Sequence, residues 1–205
     1  MARKSNSKRP GDRLKPGHVR IIGGEWRGRR LPVVDLPGLR PSGDRARETL
    51  FNWLQPYIGG ARCVDLFAGT GVLGLEAFSR GAAEVTLVEN TPLAVQALRA
   101  ALVKLEVPGA KAGVHLAETD ALKWLQTRES LTLDIVFIDP PFSSRLETQA
   151  MTLLVDRNLV SEGGLVYIET SRNTPPFHPG LGWEILKDQS IGEVRMLLLK
   201  KMDKA

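Results

Sequence analysis

Apolar and polar positions alternate in blocks of two kinds along residues 62–170. Short apolar runs such as CVDLF, EVTLVE and LDIVFID are each followed by a stretch whose apolar residues recur every three or four positions, such as TPLAVQALRAALVKL. The short runs predict strands, and the wider spacing predicts amphipathic helices. Strands alternating with helices at about 30 residues per unit predict an α/β fold, with a mostly parallel sheet covered by helices on both faces.

The pattern changes at both ends of this region. The run WEILKDQSIGEVRMLLLK predicts two strands joined by a short turn, so the sheet should end in an antiparallel hairpin. Near the other end, HVRII and LPVV flank Gly23-Gly24 and predict a small β-hairpin. The next stretch predicts a helix capped by Ser42 or Asp44. We therefore divide the chain into a disordered basic tail (1–17), an N-terminal hairpin and helix (18–58) and a main domain (59–205).

Charge is distributed unevenly over this arrangement. The first 50 residues hold 13 Lys/Arg and 5 Asp/Glu, a net charge of +8, whereas the whole chain carries +5, so the remainder carries −3. A basic segment on a mildly acidic body suggests a polyanionic partner, with nucleic acid first. No apolar run approaches the ~20 residues of a membrane helix, and the basic start lacks a signal-peptide core, so we expect a cytoplasmic protein.

Cysteine and histidine are too sparse for metal or disulfide chemistry. The chain has one cysteine, Cys63, and three widely separated histidines, His18, His115 and His178. One cysteine excludes an internal disulfide, and this histidine spacing matches no common metal site. We therefore expect no bound metal.

The first predicted strand–helix loop has the form of a nucleotide-binding turn. Residues 69–74 read GTGVLG, which matches the dinucleotide fingerprint G-x-G-x-x-G. Such glycines let the backbone approach a ligand at a helix N-terminus. The motif alone fits either a nicotinamide or flavin dinucleotide or S-adenosylmethionine, and a tight turn without ligand is the simplest alternative.

Three acids at strand ends bear on this choice. Asp65, four residues before Gly69, would be unfavourable beside a pyrophosphate but suits the amino group of a methionine moiety. Glu89 can accept from ribose hydroxyls of either ligand. Asp120 can accept from an adenine amino group, or can simply cap the helix that follows it.

The fourth strand ends in FIDPPF, where an acid and two prolines precede an aromatic ring. An exocyclic base amine is a poor nucleophile until two acceptors take its hydrogens and leave its lone pair directed at an electrophile. Asp139 and the carbonyl of Pro140 can serve as these acceptors, Pro141 stiffens the turn, and Phe142 can stack on the base. Combined with the glycine loop, this turn favours methyl transfer to an amino group over a purely structural turn.

The segments DLFAGTGVLGLEA, LVE, DAL and IDPPF, in this order, resemble class I S-adenosylmethionine-dependent methyltransferases, which have a Rossmann-like fold. RIIGGEWRGRRLPV and LRPSGDRARETLFNWL more specifically resemble the bacterial guanine-N2 methyltransferases of 16S ribosomal RNA, the RsmD type. The resemblance covers most of the chain. It implies a seven-stranded sheet, S-adenosylmethionine as cofactor, and one guanine of the small (30S) subunit or its assembly intermediate as target. We expect a monomer.

The site residues that we predict from the motifs and from the resemblance fall into three sets. Catalytic residues are Asp139, Pro140, Pro141 and Phe142. Residues expected to bind the donor are Asp65, Phe67, Ala68, Gly69, Gly71, Glu89, Asn90, Asp120 and Ala121. Residues expected to bind RNA are Arg20, Trp26, Arg27, Arg29, Arg30, Arg40 and Arg45, with packing under the hairpin as the alternative for Trp26.

Rival functions remain open at this point. A DNA or other RNA amino-methyltransferase shares the acid-Pro-Pro-aromatic turn, but 205 residues leave little room for a separate DNA-recognition domain. A protein glutamine methyltransferase would not explain the basic hairpin. A non-catalytic RNA-binding assembly factor would not need both motifs, and a nicotinamide oxidoreductase fits Asp65 poorly.

Overall fold

A computed structural model describes residues 17–33, 43–106, 113–129, 132–141, 145–175, 178 and 180–203. Of the sequence predictions, nearly all of the basic tail, together with Arg40 and Phe142, lies outside the described residues. No helix in these ranges is long and apolar enough to cross a membrane.

Within the described residues, nine strands form two sheets. They are β1 (His18–Arg20), β2 (Arg30–Pro32), β3 (Arg62–Asp65), β4 (Glu84–Glu89), β5 (Val114–Glu118), β6 (Leu133–Ile138), β7 (Val160–Ser171), β8 (Trp183–Ile191) and β9 (Val194–Lys201). β1 and β2 pair as an antiparallel hairpin. The other seven form one sheet in the order β5-β4-β3-β6-β7-β9-β8.

The large sheet is parallel from β5 to β7, whereas β9 runs antiparallel to both β7 and β8. The predicted fold class is therefore confirmed, including the C-terminal antiparallel hairpin and the small N-terminal hairpin.

In the described part of the chain, five helices cover both faces of the large sheet. They are α1 (Asp44–Leu54), α2 (Val72–Ser79), α3 (Pro92–Lys104), α4 (Ala121–Gln126) and α5 (Leu146–Asp156). One hydrophobic cluster joins the sheet to α1, α2, α3 and the hairpin, and a second joins it to α4 and α5. Because both faces are covered, central strands such as β6 are apolar almost throughout rather than alternating.

The capping prediction for α1 is wrong in one respect. The helix begins at Asp44 after Gly43, so Asp44 is not its cap, and the other predicted cap, Ser42, lies outside the described residues. Asp44 instead pairs with Arg20 at 2.9 Å and with Arg47 at 2.6 Å. The apolar side chains of Ala46, Leu50, Phe51 and Leu54 form the buried face of the helix. The Asp44 carboxylate therefore links the hairpin to α1 through ion pairs and does not cap the helix.

The hairpin packs closely on the C-terminal end of α2. The Ser79 hydroxyl donates to the Gly23 carbonyl at 2.7 Å and accepts from the Trp26 N–H at 2.8 Å. The Trp26 ring packs on Phe78 with centroids 5.2 Å apart. Helices of such units run antiparallel to the strands. The hairpin tip therefore lies at the sheet edge opposite the carboxyl ends of the strands.

A buried ionic network fixes the rest of the hairpin. The Arg47 side chain is fully buried; it donates to the Arg20 carbonyl at 2.9 Å and lies 3.6 Å from Glu76. Glu76, also fully buried, accepts from the Ile22 N–H at 2.7 Å and from Arg80 at 2.8 Å. Removing one partner of such a network leaves an uncompensated buried charge, so the network specifies a single docked position for the hairpin.

Replacing Gly24 with alanine tests this docking. Gly24 has φ +74°, and an added Cβ would lie 1.8 Å from the Ser79 carbonyl oxygen. We expect Gly24→Ala to lower the free energy of unfolding by about 3 kcal/mol or more. Alanine is strained at this positive φ, and its Cβ would force the hairpin away from the Ser79 carbonyl. Urea denaturation measures the change.

Gly28→Ala is the matched control. Gly28 has φ +84°, but its added Cβ would meet nothing within 4 Å, so only backbone strain applies. We expect a loss of about 1 kcal/mol. Equal losses in the two variants would contradict the docked position of the hairpin.

Candidate active site

The loop after β3 turns sharply into α2. Gly69 and Gly71 have φ of 52° and 73°, in the left-handed region that glycine adopts without strain. An added Cβ at Gly74 would lie 2.4 Å from Leu87, so this glycine lets α2 pack closely on β4. The three fingerprint glycines therefore have the turn and packing roles that their spacing predicts.

Asp65 ends β3 beneath this loop, where it is 1% exposed. Its Oδ2 accepts from the Gly74 N–H at 3.0 Å, whereas Oδ1 makes no hydrogen bond of normal geometry among the described residues. Burial raises the pKa of Asp65 to about 7, the Glu89 charge adds to this, and the N–H groups of Gly74 and Phe67 oppose it. A buried carboxylate with an unpaired oxygen is suited to a cationic or hydrogen-donating ligand group.

Glu89 holds the loop from the neighbouring strand. Its Oε2 accepts from the Gly69 N–H at 2.8 Å, and its Oε1 accepts from the N–H groups of Asn90 at 3.0 Å and Thr91 at 2.7 Å. A carboxylate has about four acceptor positions, so these three bonds leave limited capacity for a ligand. The ribose role assigned to Glu89 stays a prediction, beside an observed role in fixing the glycine loop.

The remaining predicted donor residues adjoin these acids. Phe67 is half-buried and Ala68 is buried, and the Ala68 N–H donates to the Val88 carbonyl at 3.0 Å. Asp120 caps α4, accepting from the Lys123 N–H at 2.9 Å, and the following Ala121 is buried. The capping alternative for Asp120 is therefore observed, and its adenine contact stays a prediction.

The acid-Pro-Pro turn follows β6, directly beside β3. Asp65 lies opposite Phe137 in the parallel pairing of the two strands, and Asp139 follows two residues later. Asp139 is half-buried, Pro140 is buried and Pro141 is exposed. The chain leaves β3 towards β4 on one side and leaves β6 towards β7 on the other. This divergence opens a crevice at the carboxyl edge, the usual ligand position in such sheets.

Sequence reasoning missed a second acid beside this turn. Glu169, two residues before the end of β7, is 3% exposed and accepts from the Tyr167 hydroxyl at 2.8 Å. A small pocket is lined by Pro140, Glu147, Glu169, Thr170, Ser171 and Thr174. The signal in the sequence was the single acid that interrupts the apolar run GLVYIET.

The predicted RNA contacts divide into exposed cations and one buried ring. Arg20, Arg27, Arg29, Arg30 and Arg45 are exposed. Trp26 is only 5% exposed, so for this residue the structure favours the packing alternative over base stacking. Arg29 also donates to the Leu105 carbonyl at 2.9 Å, which fixes it against the end of α3.

Metal-ligating side chains do not gather at this site. Within the described ranges no group of three or more His, Cys, Asp or Glu side chains could hold a metal ion.

Solved structures share this architecture. A "putative methyltransferase" from Escherichia coli superposes with a TM-score of 0.79 at 39% identity, covering 92% of this chain and all of that chain. A Haemophilus influenzae methylase structure gives 0.77 at 37% identity, covering 91% of this chain and all of that one. A more distant methyltransferase structure, at 19% identity and a TM-score of 0.65, contains SAH and shows the fold alone.

Curated relatives are similar over nearly their full length. The "Ribosomal RNA small subunit methyltransferase D" of Haemophilus influenzae is 44% identical over 87% of this chain and 91% of its own. The protein of the same name from Escherichia coli K12 is 42% identical over 90% of this chain and 91% of its own. The model of the family described as "Conserved hypothetical protein 95" matches residues 19–200. The chain therefore belongs to this family of methyltransferases, as the resemblance of its motifs implied.

Proposed function

We propose that the protein transfers a methyl group from S-adenosylmethionine to the exocyclic N2 of one guanine in 16S ribosomal RNA. The observation that carries this proposal is the pairing of β3 with β6, which sets the glycine loop and the acid-Pro-Pro turn at adjacent strand ends. The names of the curated relatives support small-subunit ribosomal RNA as the substrate.

Asp65 and the loop of Gly69 and Gly71 fit the methionine part of the donor. The unpaired Oδ1 of Asp65 suits an ammonium group, which would also favour the ionised carboxylate. S-adenosylmethionine, when bound, supplies an electrophilic methyl group on a sulfonium sulfur. The SAH in the distant structural neighbour supports a donor of this class, because SAH is what remains after methyl transfer.

Asp139 and Pro140 prepare the acceptor amine. The Asp139 carboxylate takes one N2 hydrogen and the Pro140 carbonyl takes the other, so the nitrogen lone pair points along the line of attack. The new N–C bond forms as the S–C bond breaks, and the bond electrons leave with sulfur as a neutral thioether. The alkylated amine then gives its extra proton to Asp139. Phe142 is expected to stack on the base.

No covalent enzyme intermediate is needed. Cys63 lies in β3 and is 2% exposed, and burial followed by the charge of Asp134 raises its thiol pKa to about 12. A thiol held neutral and buried is not a nucleophile at physiological pH. The amine therefore attacks the methyl group directly.

The hairpin cations suit an extended RNA partner. Arg27 and Arg29 lie at the hairpin tip, at the opposite edge of the sheet from the glycine loop, and Arg30 follows in β2. Phosphates bound there belong to RNA remote from the target base, whereas Arg20 and Arg45 lie around the start of α1. This span favours a structured ribosomal particle, the 30S subunit or its assembly intermediate, and a monomeric enzyme is enough to provide it.

Asp139→Ala should nearly abolish methylation, with kcat lowered by about 1,000-fold or more, because the amine loses its acceptor. Donor binding should change less than about threefold, since Asp139 lies on the acceptor side. Transfer of labelled methyl and calorimetric donor titration measure the two effects. Asp156→Ala, an exposed acid of α5, is the control. An equal loss of donor binding and rate in Asp139→Ala would contradict the assignment.

Asp65 should make stability depend on pH. Its pKa is raised by burial from 3.8 to about 7, so the stability it contributes is present below about pH 4 and is lost as pH rises to about 7. Relative to Asp65→Asn, the wild-type protein should lose up to about 4 kcal/mol of unfolding free energy over this interval. Urea denaturation at several pH values measures this.

Saturating SAH should reduce that loss, because its ammonium group would pair with the ionised carboxylate. The exposed acid variant Asp156→Asn supplies the background pH dependence. A stability difference between wild type and Asp65→Asn that stays constant from pH 4 to 7 would show that Asp65 titrates normally.

The triple variant Arg27→Ala, Arg29→Ala, Arg30→Ala should bind RNA more weakly and with a flatter salt dependence. Three lost phosphate contacts should reduce the slope of log K against log[salt] by about 2–3. Filter binding at several salt concentrations measures the slope. Arg157→Ala, just beyond α5 on the other face of the sheet, is the control. An unchanged slope in the triple variant would contradict the assignment of these arginines as phosphate contacts.

A further inference from the structure

Glu169 is a buried acid directly beside the acid-Pro-Pro turn that follows β6. β6 and β7 are parallel and pair Phe137 with Tyr167 and Ile138 with Ile168. The next residues in this register are Asp139, just past the end of β6, and Glu169, two residues before the end of β7, so they lie side by side. Neighbouring strands lie about 4.8 Å apart, and side chains of the same register share a face. The two carboxylates therefore face the same region of the crevice.

Tyr167 holds Glu169 in place. Its hydroxyl donates to Glu169 Oε2 at 2.8 Å, and its ring packs edge-on against Phe137 with centroids 6.5 Å apart. Burial, then the charges of Glu169 and Asp139, raises the pKa of Tyr167, so the phenol remains a donor. The phenol takes one of the roughly four acceptor positions of the carboxylate. Tyr167 thus fixes the orientation of Glu169.

The pocket in front of Glu169 has a fixed wall. Glu169 and Pro140 line it together with Thr174. The Thr174 carbonyl accepts from Arg195 at 3.4 Å, and Arg195 is paired with Asp188 at 2.6 Å. Thr174, which lines the pocket, is therefore held against the C-terminal hairpin.

We propose that Glu169 is a specificity-determining residue that accepts a hydrogen bond from the ring N1–H of the target guanine, while Asp139 and Pro140 hold its N2 amine. This inference rests on the proposed function and deepens it by assigning the recognition of the base. The pocket places Glu169 beside Pro140, and the strand pairing places it beside Asp139.

The chemistry of the base edge explains why an acid belongs here. Guanine presents N1–H and N2–H₂ as neighbouring donors, and a flipped base is read along this edge. Two carboxylates side by side repel each other, and a pair of donors between them relieves that repulsion. Adenine and cytosine present a ring acceptor in the corresponding position, which a carboxylate would repel. Glu169 thus both attracts guanine and disfavours the alternatives.

The test uses a base that keeps the amine but loses N1–H. 2,6-Diaminopurine has the 2-amino group of guanine, but its N1 is an acceptor. Small-subunit RNA carrying guanine or 2,6-diaminopurine at the target position is methylated by wild type and by Glu169→Gln, and kcat/KM is measured for each. Wild type should prefer guanine by about 100-fold or more, because a site built for a donor rejects an acceptor.

Glu169→Gln should lower the ratio of kcat/KM for guanine to kcat/KM for 2,6-diaminopurine at least about tenfold, because a glutamine amide donates to N1 of diaminopurine. Glu162→Gln, an exposed glutamate at the opposite end of the same strand, is the matched control and should keep the wild-type ratio. Melting temperature and donor affinity of Glu169→Gln should match those of wild type. An unchanged base preference in a folded Glu169→Gln protein would overturn the inference.

Tyr167→Phe provides an independent arm if Glu169→Gln does not fold. Loss of the orienting phenol should narrow the guanine preference about threefold to tenfold and raise KM more than it lowers kcat. A preference equal to that of wild type would overturn the inference in this arm too. Mass analysis of the wild-type RNA product tests the proposed function separately. If the product contains no N2-methylguanosine, both the proposed function and the inference fail. If it contains N2-methylguanosine but the variants keep the wild-type ratio of kcat/KM for guanine and 2,6-diaminopurine, only the inference is refuted.

Discussion

The parallel pairing of β3 with β6 is the constraint on which the site depends. It places Asp65 opposite Phe137, so the glycine loop and the acid-Pro-Pro turn leave the sheet side by side. The two chains then diverge, because β4 lies beyond β3 and β7 lies beyond β6. A crevice forms at this divergence without any special loop, and a shift of one residue in this register would turn Asp65 to the other face of the sheet.

Carboxylates dominate the carboxyl edge of the sheet. Asp65 and Glu89 end their strands, Asp139 directly follows β6, and Glu169 lies two residues before the end of β7. Burial would make such a group costly without partners, and the structure meets part of that cost with backbone N–H groups and the Tyr167 hydroxyl. This negative edge suits a cationic donor and a base edge rich in N–H groups. The opposite polarity of the N-terminal segment suits the phosphates around the target.

The packing of the N-terminal hairpin on α1 and α2 connects the basic hairpin to the sheet whose carboxyl edge carries the acids. Arg47 and Glu76 are both fully buried and link the backbone of the hairpin to α1 and α2. The helix that begins at the glycine loop therefore ends against the N-terminal hairpin. The predicted division at residue 58 describes the order of elements along the chain, whereas the hydrophobic cluster continues across it from Trp26 through Phe51 to Phe137.

The sequence by itself determined the α/β order, the antiparallel end of the sheet, the glycine turn and the acids that end the strands, because these follow from local periodicity and from residues with restricted backbone geometry. It also placed Asp139 at a strand end. Only the tertiary structure decided which strand ends are neighbours, that Trp26 packs inside and that Glu169 joins Asp139. Those outcomes depend on contacts between residues far apart in sequence, such as Trp26 with Phe78 and Ile138 with Ile168. A local sequence pattern does not predict such contacts, because the same run of residues can face solvent, the core or a ligand depending on what packs against it.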